Sequence, residues 1–99
     1  MIRHVVMFRW ADDTSDEAKE AVAAGLAELP GVIPEIKRYE FGGDLALREG
    51  TWDFVVVADF DDADGYRTYS DDATHQAVIA ERIAPNVVER AAVQYELPG

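Results

Sequence analysis

Residues 2–10 have the sequence IRHVVMFRW, and this segment decides the fold. β-branched and aromatic residues are enriched in it, which is typical of a β-strand. Alternation places one set of side chains on the first face of the strand, namely Ile2, His4, Val6, Phe8 and Trp10. The second face carries Arg3, Val5, Met7 and Arg9. Because both faces contain apolar side chains, we expect both faces of the sheet to be covered.

Helices are predicted after the first and third strands. Thr14 and Glu17 have the spacing of a capping box, which predicts the start of the first helix. Leu29-Pro30-Gly31 predicts its end at about residue 28 or 29, because proline cannot continue the hydrogen-bond ladder and glycine accepts positive φ. Gly42-Gly43-Asp44 predicts the turn that closes the second strand. The other predicted strands cover 36–41, 52–60 and 87–97, and the other helices lie between 61 and 72 and over 73–84.

The order strand, helix, strand, strand, helix pair, strand predicts a ferredoxin-like βαββαβ fold of the α+β class. This fold has one four-stranded antiparallel sheet with the helices on one face. The other face would expose Val5, Met7, Val55 and Val57, an apolar patch that normally marks an association surface. We therefore expect a homodimer formed by sheet-on-sheet contact, which gives a closed barrel.

Composition limits the classes of function. The 99 residues are 48% hydrophobic and 29% charged, which fits one globular domain over 1–99. The net charge of −11 disfavours nucleic acid and anionic membrane surfaces as partners. The absence of cysteine excludes disulfides, thiolate nucleophiles and zinc–sulfur sites. No segment has the length and apolarity of a membrane span or a secretory signal, so we expect a cytoplasmic protein.

The candidate site is built on the two histidines of the chain. His4 lies on the inward face of the first strand, and His75 lies on the inward stripe of the last helix, near its N-terminus. Tyr69, six residues before His75, is placed to bring its hydroxyl to the same space. The alternative is structural: His4 as a hydrogen-bonded core residue, His75 as a surface or capping residue, and Tyr69 as a core filler with a wet tip.

The other polar clusters do not predict a site. The aspartates between 59 and 64 lack the bidentate acid and the loop length of an EF-hand, so no metal is expected. Gly42-Gly43 does not open a helix and makes no phosphate loop. The strands lack aromatic pairs interleaved with basic residues, which argues against RNA binding.

Motifs along the whole chain resemble the stress-responsive A/B barrel (Dabb) family. They are Ile2 to Phe8, Leu29-Pro30-Gly31-x-Ile33-Pro34-x-Ile36, Gly43-Asp44-Leu45, Trp52-Asp53-Phe54, Tyr69 to Ala77 and Ile83-Ala84-Pro85. The resemblance implies a dimeric α+β barrel. The family includes plant stress proteins and olivetolic acid cyclase, which closes a linear polyketide by aldol condensation without cofactor or metal.

The resemblance also implies roles for residues. Pocket residues of the cyclase match His4, Tyr69 and His75. His75 would remove a proton, Tyr69 would donate to the resulting enolate, and His4 would orient the substrate or shuttle the proton. The pattern departs at Leu26 and Phe54, where the cyclase has tyrosine and histidine, and at Asp72-Ala73, which replace a frequent His-Pro. These departures imply a more apolar pocket and a different substrate.

We therefore expect an apolar or aromatic small molecule between the helices and the sheet, with no cofactor. The residues expected to line its pocket are Val6, Phe8, Val22, Leu26, Phe54, Val56, Ile79 and Ile83. Two alternatives stay open. One is a non-enzymatic stress or structural dimer, and the other is a cofactor-free monooxygenase in which Trp10, Trp52 and Phe54 stack an aromatic substrate.

Overall fold

The computed structural model describes residues 1–98 and contains four strands and three α-helices. In chain order the elements are β1 (Ile2–Trp10), α1 (Asp16–Val32), β2 (Arg38–Gly43), β3 (Phe54–Phe60), α2 (Ala63–Asp71), α3 (Ala73–Val78) and β4 (Val87–Glu96). A π-helical turn (Ile79–Ile83) continues directly from α3. This is the element order that the sequence predicts.

The strands form one antiparallel sheet in the order β2-β3-β1-β4. The register aligns Tyr39, Ala58, His4 and Gln94 in one row across the four strands. With the helices packed against the sheet, this arrangement confirms the ferredoxin-like α+β fold.

The hydrophobic core lies between the helices and one face of the sheet. Its fully buried members include Val22, Leu26, Leu29, Ile33, Val56 and Phe60. The inward side chains of β1 are buried at His4, Val6 and Phe8, in the alternation predicted from residues 2–10. His4 is therefore fixed on the helix side of a central strand.

The helix α1 differs from its predicted limits at both ends. Its N-cap is Ser15, whose hydroxyl accepts from the backbone N–H of Ala18, so the predicted cap at Thr14 is wrong by one residue. The predicted stop at residue 29 is also wrong, because the helix continues through Pro30 to Val32. Burial of the residues on both sides of this turn explains the continuation. Leu29 is 0% and Ile33 is 1% exposed, and the Ile33 N–H donates to the Leu29 carbonyl oxygen at 2.9 Å.

Two other predicted limits need correction. Gly42 and Gly43 are paired with Val55 and Phe54 in the sheet, so they extend β2 and do not form the predicted turn. The helix predicted over 73–84 is α-helical only to Val78, and the Ala84 N–H then donates to the Ile79 carbonyl oxygen, five residues earlier. Such π-turns occur frequently at functional sites.

Gly25 allows α1 to approach the last helical segment closely. A Cβ at this position would lie 3.1 Å from side-chain atoms of both Arg82 and Val78. The Arg82 guanidinium donates to the Ala21 carbonyl oxygen at 2.8 Å and so joins the two segments. Any larger side chain at residue 25 would separate them.

The sheet face opposite the helices, here called the open sheet face, is partly apolar. Val5, Met7, Val55 and Val57 are half-buried on it, and Val93 beside Val5 is 56% exposed. The bidentate pair of Arg3 and Asp59 lies at one end, with bonds of 2.8 and 2.9 Å. Arg3 holds the pKa of the Asp59 carboxyl below its usual value. Within residues 1–98 no helix is long and apolar enough to cross a membrane.

Candidate functional site

A cavity of about 540 Å³ lies between β1, β4 and the segment formed by α3 and the π-turn. This volume is in the usual range for small-molecule pockets. Its apolar wall includes Val6, Phe8, Leu26, Val56, Ile79 and Ile83. Its polar wall includes His4, Tyr69, Ser70, His75, Gln76 and Arg90. The structure thus brings the three predicted site residues to one apolar space.

Two residues predicted to line the pocket lie elsewhere. Val22 is 0% exposed within the core and does not reach the cavity. Phe54 stacks on Phe8 at a centroid distance of 6.2 Å and contacts the Trp10 ring at 5.4 Å, so its ring is used in packing. Trp52 also lies away from the cavity, with the guanidinium of Arg9 4.3 Å from its ring centroid.

His4 is held by a residue that the sequence analysis did not identify. Nε2 of Gln94 lies 2.8 Å from Nδ1 of His4. An amide nitrogen donates, so this contact fits the neutral tautomer in which Nδ1 accepts and the proton is on Nε2. Burial lowers the pKa of His4 to about 4, and the positive charge of Arg90, with that of His75 when it is protonated, adds to this effect. His4 is therefore a neutral hydrogen-bond donor at pH 7.

His75 carries its proton on the other nitrogen. Its Nδ1 lies 3.4 Å from the carbonyl oxygen of Ser70. A carbonyl oxygen accepts, so this contact fits the neutral tautomer with the proton on Nδ1 and a lone pair on Nε2. Burial lowers the pKa of His75, while the Ser70 hydrogen bond and the Asp72 carboxylate raise it and Arg90 lowers it. His75 is therefore a neutral ring that can accept a proton.

Both Nε2 atoms are accessible from the cavity. Neither Nε2 atom makes a hydrogen bond within residues 1–98. Every buried side-chain nitrogen or oxygen in these residues has a hydrogen-bond partner. Each Nε2 atom must therefore contact open space, and both residues line the cavity. The cavity thus contains one imidazole that donates and one that accepts.

Local structure explains how His75 is positioned. The Asp72 carboxylate caps α3 by accepting from the backbone N–H groups of Thr74 and His75 at 2.8 and 3.1 Å. The ring of Tyr69 lies against that of His75, with centroids 4.0 Å apart. The cap fixes the backbone of the residue, and the phenol ring restricts the rotation of its side chain.

Tyr69 is itself in contact with a tyrosine from β2. The hydroxyl oxygens of Tyr69 and Tyr39 are 2.9 Å apart, and Tyr39 does not line the cavity. Burial raises the pKa of both hydroxyls, so both are neutral at pH 7. When Tyr39 donates to Tyr69, the proton of Tyr69 is available to a ligand.

Sequence reasoning identified His4, Tyr69 and His75 but missed Gln94, Tyr39 and Arg90. Each missed residue lies on an inward sheet position that only the strand register reveals, opposite His4, Ala58 and Phe8, respectively. Alternation groups residues 90, 92 and 94 on one face of the strand, and pairing with β1 shows that this face is the inward one. Within residues 1–98 no group of three or more His, Asp or Glu side chains is arranged to hold a metal ion.

Comparison with known proteins identifies the family. The model of the stress responsive A/B barrel domain (Dabb) matches residues 2–97. The chain belongs to this family. A dimeric ferredoxin-like protein of unknown function from Thermobifida fusca is 48% identical, with a TM-score of 0.90 over 97% of this chain and 90% of the other. An uncharacterised protein of Streptomyces coelicolor is 29% identical over 82 residues, which are 81% of this chain and 84% of that protein.

One solved structure with the same fold belongs to an enzyme. The hydroxynitrile lyase of Passiflora edulis superposes with a TM-score of 0.85 over 98% of this chain and 93% of that one. At 18% identity, this likeness shows a shared fold. The chemistry of this Dabb protein therefore depends on its own side chains.

Proposed function

We propose that this Dabb protein is a homodimeric enzyme that removes a proton next to a carbonyl group of an apolar or aromatic small molecule. The observation that carries the proposal is the pair of neutral imidazoles with opposite tautomers on one apolar cavity. Abstraction of a proton from carbon needs a base, and the enolate that forms needs donors at its oxygen. His75 provides the base, and His4 provides one of the hydrogen-bond donors.

The proposed step assigns one role to each side chain. Nε2 of His75 takes the proton from the carbon and becomes the imidazolium. The C–H electron pair forms the enolate, whose oxygen accepts from Nε2–H of His4 and from the Tyr69 hydroxyl. In an aldol reaction the enolate carbon then bonds to a second carbonyl carbon, and the resulting alkoxide takes the proton back from His75.

Tyr39 and Gln94 would act as positioning residues. Gln94 holds His4 in the tautomer with a proton on Nε2, which an enolate oxygen needs. By donating to the Tyr69 hydroxyl, Tyr39 would leave the proton of Tyr69 free for donation toward the cavity. Neither residue needs to touch the substrate.

Exchange of carbon-bound protons tests the proposal without knowledge of the natural substrate. Two methyl ketones, 2-acetonaphthone and 2-undecanone, are incubated with the protein in D₂O near neutral pD, and loss of the α-proton signal is followed by NMR. We expect exchange above that given by free imidazole, and a loss of about 10²-fold in His75→Gln. Tyr69→Phe should also slow exchange, whereas Tyr95→Phe, on the open sheet face, should not.

Two results would contradict the proposal. One is exchange no faster than with free imidazole for both ketones, and the other is an unchanged rate in His75→Gln. The non-enzymatic alternative predicts the first result, together with lower stability when both histidines are replaced. The monooxygenase alternative has less support, because Trp10, Trp52 and Phe54 do not line the cavity.

The homodimer is proposed to form through the open sheet face. Its half-buried valines and Met7 form an apolar patch, and the protein from Thermobifida fusca with 48% identity is dimeric. Light scattering should give twice the chain mass of 11.0 kDa. Val5→Glu, which places a charge in this patch, should give the monomer mass, while Val32→Glu at the exposed end of α1 should leave the dimer intact. A monomeric wild-type protein would refute this assembly.

The cytoplasmic location expected from the sequence stays a prediction.

A further inference from the structure

Arg90 places a positive charge on the wall of the cavity. It lies on β4 directly opposite Phe8, on the inward face of the sheet that also carries His4. Its charge lowers the pKa of both His4 and His75, which places it within electrostatic reach of the two rings. Arg90 also lines the cavity together with His4 and His75, so it borders the same space as the proposed chemistry.

Arg90 differs from most cations of this acidic chain in having no acidic partner. The chain has nine Lys and Arg against twenty Asp and Glu. Five of the nine pair with carboxylates, namely Arg3, Arg9, Lys37, Arg38 and Arg67. Arg82 donates to a backbone carbonyl. Within residues 1–98 the Arg90 side chain makes neither an ion pair nor a hydrogen bond. The two other cations with neither, Lys19 and Arg48, do not line the cavity.

The carboxylate next to Arg90 in the chain does not neutralise it. Glu89 lies opposite Arg9, which points to the open sheet face, and its Oε1 is 3.8 Å from Nε of Arg9. Glu89 also borders the cavity, but its carboxylate forms an ion pair with Arg9 and none with Arg90 within residues 1–98. The polar groups that remain on the cavity wall, among them two neutral imidazoles and a phenol, carry no charge at pH 7.

We propose that the cavity selects an apolar or aromatic carboxylate, whose anionic group pairs with the Arg90 guanidinium while its apolar body packs against Phe8, Ile79 and Ile83. One cation matches one negative charge, so a monoanion fits the site better than a phosphate dianion. The planar guanidinium also matches a carboxylate with two parallel hydrogen bonds. This inference names the ligand class of the proposed function and rests on it only for the existence of a small-molecule site.

Matched pairs of probes test the selection. The pairs are 2-naphthoate with 2-naphthylmethanol and decanoate with 1-decanol, each kept below its solubility or micelle limit. Dissociation constants are measured by calorimetry near pH 7.5 at fixed salt. We expect the carboxylate of at least one pair to bind about ten-fold or more tightly than its alcohol, as a charge-assisted bidentate pair provides.

The variant Arg90→Gln removes the charge and keeps most of the side-chain length. It should reduce the preference for carboxylate to less than about two-fold and leave the affinity for the alcohol unchanged. Arg48→Gln is the matched control, because it removes the same charge from an exposed loop residue away from the cavity. It should keep the full preference. Since the Arg90 side chain makes no hydrogen bond or ion pair within residues 1–98, its replacement should leave the unfolding midpoint within about 2 °C of wild type.

Each remaining outcome has a definite meaning. Equal affinity for carboxylate and alcohol in the wild type, or an unchanged preference in Arg90→Gln, overturns the role of Arg90 and leaves the small-molecule site intact. Binding of none of the four probes at their highest concentrations overturns this inference as well. The ketone exchange experiment then separates the two proposals, because exchange there would maintain the catalytic role of the cavity without anion selection.

Discussion

Protonation of His4 should destabilise the protein as the pH falls below the ordinary range of a histidine. In the unfolded chain its pKa is near 6.5, and in the folded protein burial lowers it to about 4. Between these values the unfolded state binds a proton that the folded state does not, so stability rises with pH. The contribution of neutral His4 is complete above about pH 6.5 and is lost as the pH falls toward 4.

The size of this effect follows from the two pKa values. Near pH 5 the imidazole is almost fully protonated in the unfolded chain and almost fully neutral in the folded protein. This difference lowers the free energy of unfolding by about 2 kcal/mol relative to pH 8. His4 is only 5% exposed, but the cavity beside it admits solvent that screens the charge. We therefore expect a loss of about 1–2 kcal/mol.

Comparison with a variant isolates His4 from the many carboxylates. Urea unfolding of the wild type and of His4→Gln is measured near pH 5 and pH 8, at one protein concentration because the protein is proposed to be a dimer. The wild type should lose about 1–2 kcal/mol more than the variant over this interval. NMR titration of the His4 ring gives its folded-state pKa directly. Equal losses in the two proteins, or a His4 ring that titrates near 6.5, would refute the reasoning.

Two further substitutions test the packing and the ion pair that support the site. Gly25→Leu should cost about 2 kcal/mol by urea unfolding, because the added side chain meets the last helical segment, whereas Ala24→Leu on the exposed side of the same helix should cost little. Asp59→Asn should cost about 2 kcal/mol at neutral pH because it weakens the bidentate bond to Arg3, and Asp61→Asn, at an exposed ion pair, should cost less than about 0.5. A larger loss at the control position in either pair would contradict the assignment.

Alternation along residues 2–10 was enough to predict which face of β1 points inward and that His4 lies on it. The helix ends were harder to predict, because tertiary burial overrides local signals. Pro30 normally stops a helix, but burial of Leu29 and Ile33 against the sheet favours the last turn of α1. Likewise, no local signal in residues 79–83 distinguishes a π-turn from a continuing α-helix.

The polar partners of the site depend on strand register, which sequence alone does not provide. Residues 87–97 alternate clearly, yet nothing local shows whether odd or even positions face the helices. Pairing with β1 decides it by placing Gln94 opposite His4 and Arg90 opposite Phe8. Tyr39 comes next to Ala58 in the same way. The residues that set tautomer and charge in the cavity were therefore the ones the sequence analysis missed.

The position of the cavity follows from an unequal distribution of side-chain volume across the sheet. On the inward face of β2 and β3, aromatic rings at Tyr39, Phe41, Phe54 and Phe60 fill the space beneath the helices. On β4 the inward positions are Arg90, Ala92 and Gln94, all of them exposed. On β4 only Val87 packs against the core, so the space over residues 90–94 stays open. The strand that provides the polar partners is thus also the strand that leaves room for a ligand, and this coupling explains why the chemistry lies at the β1–β4 side.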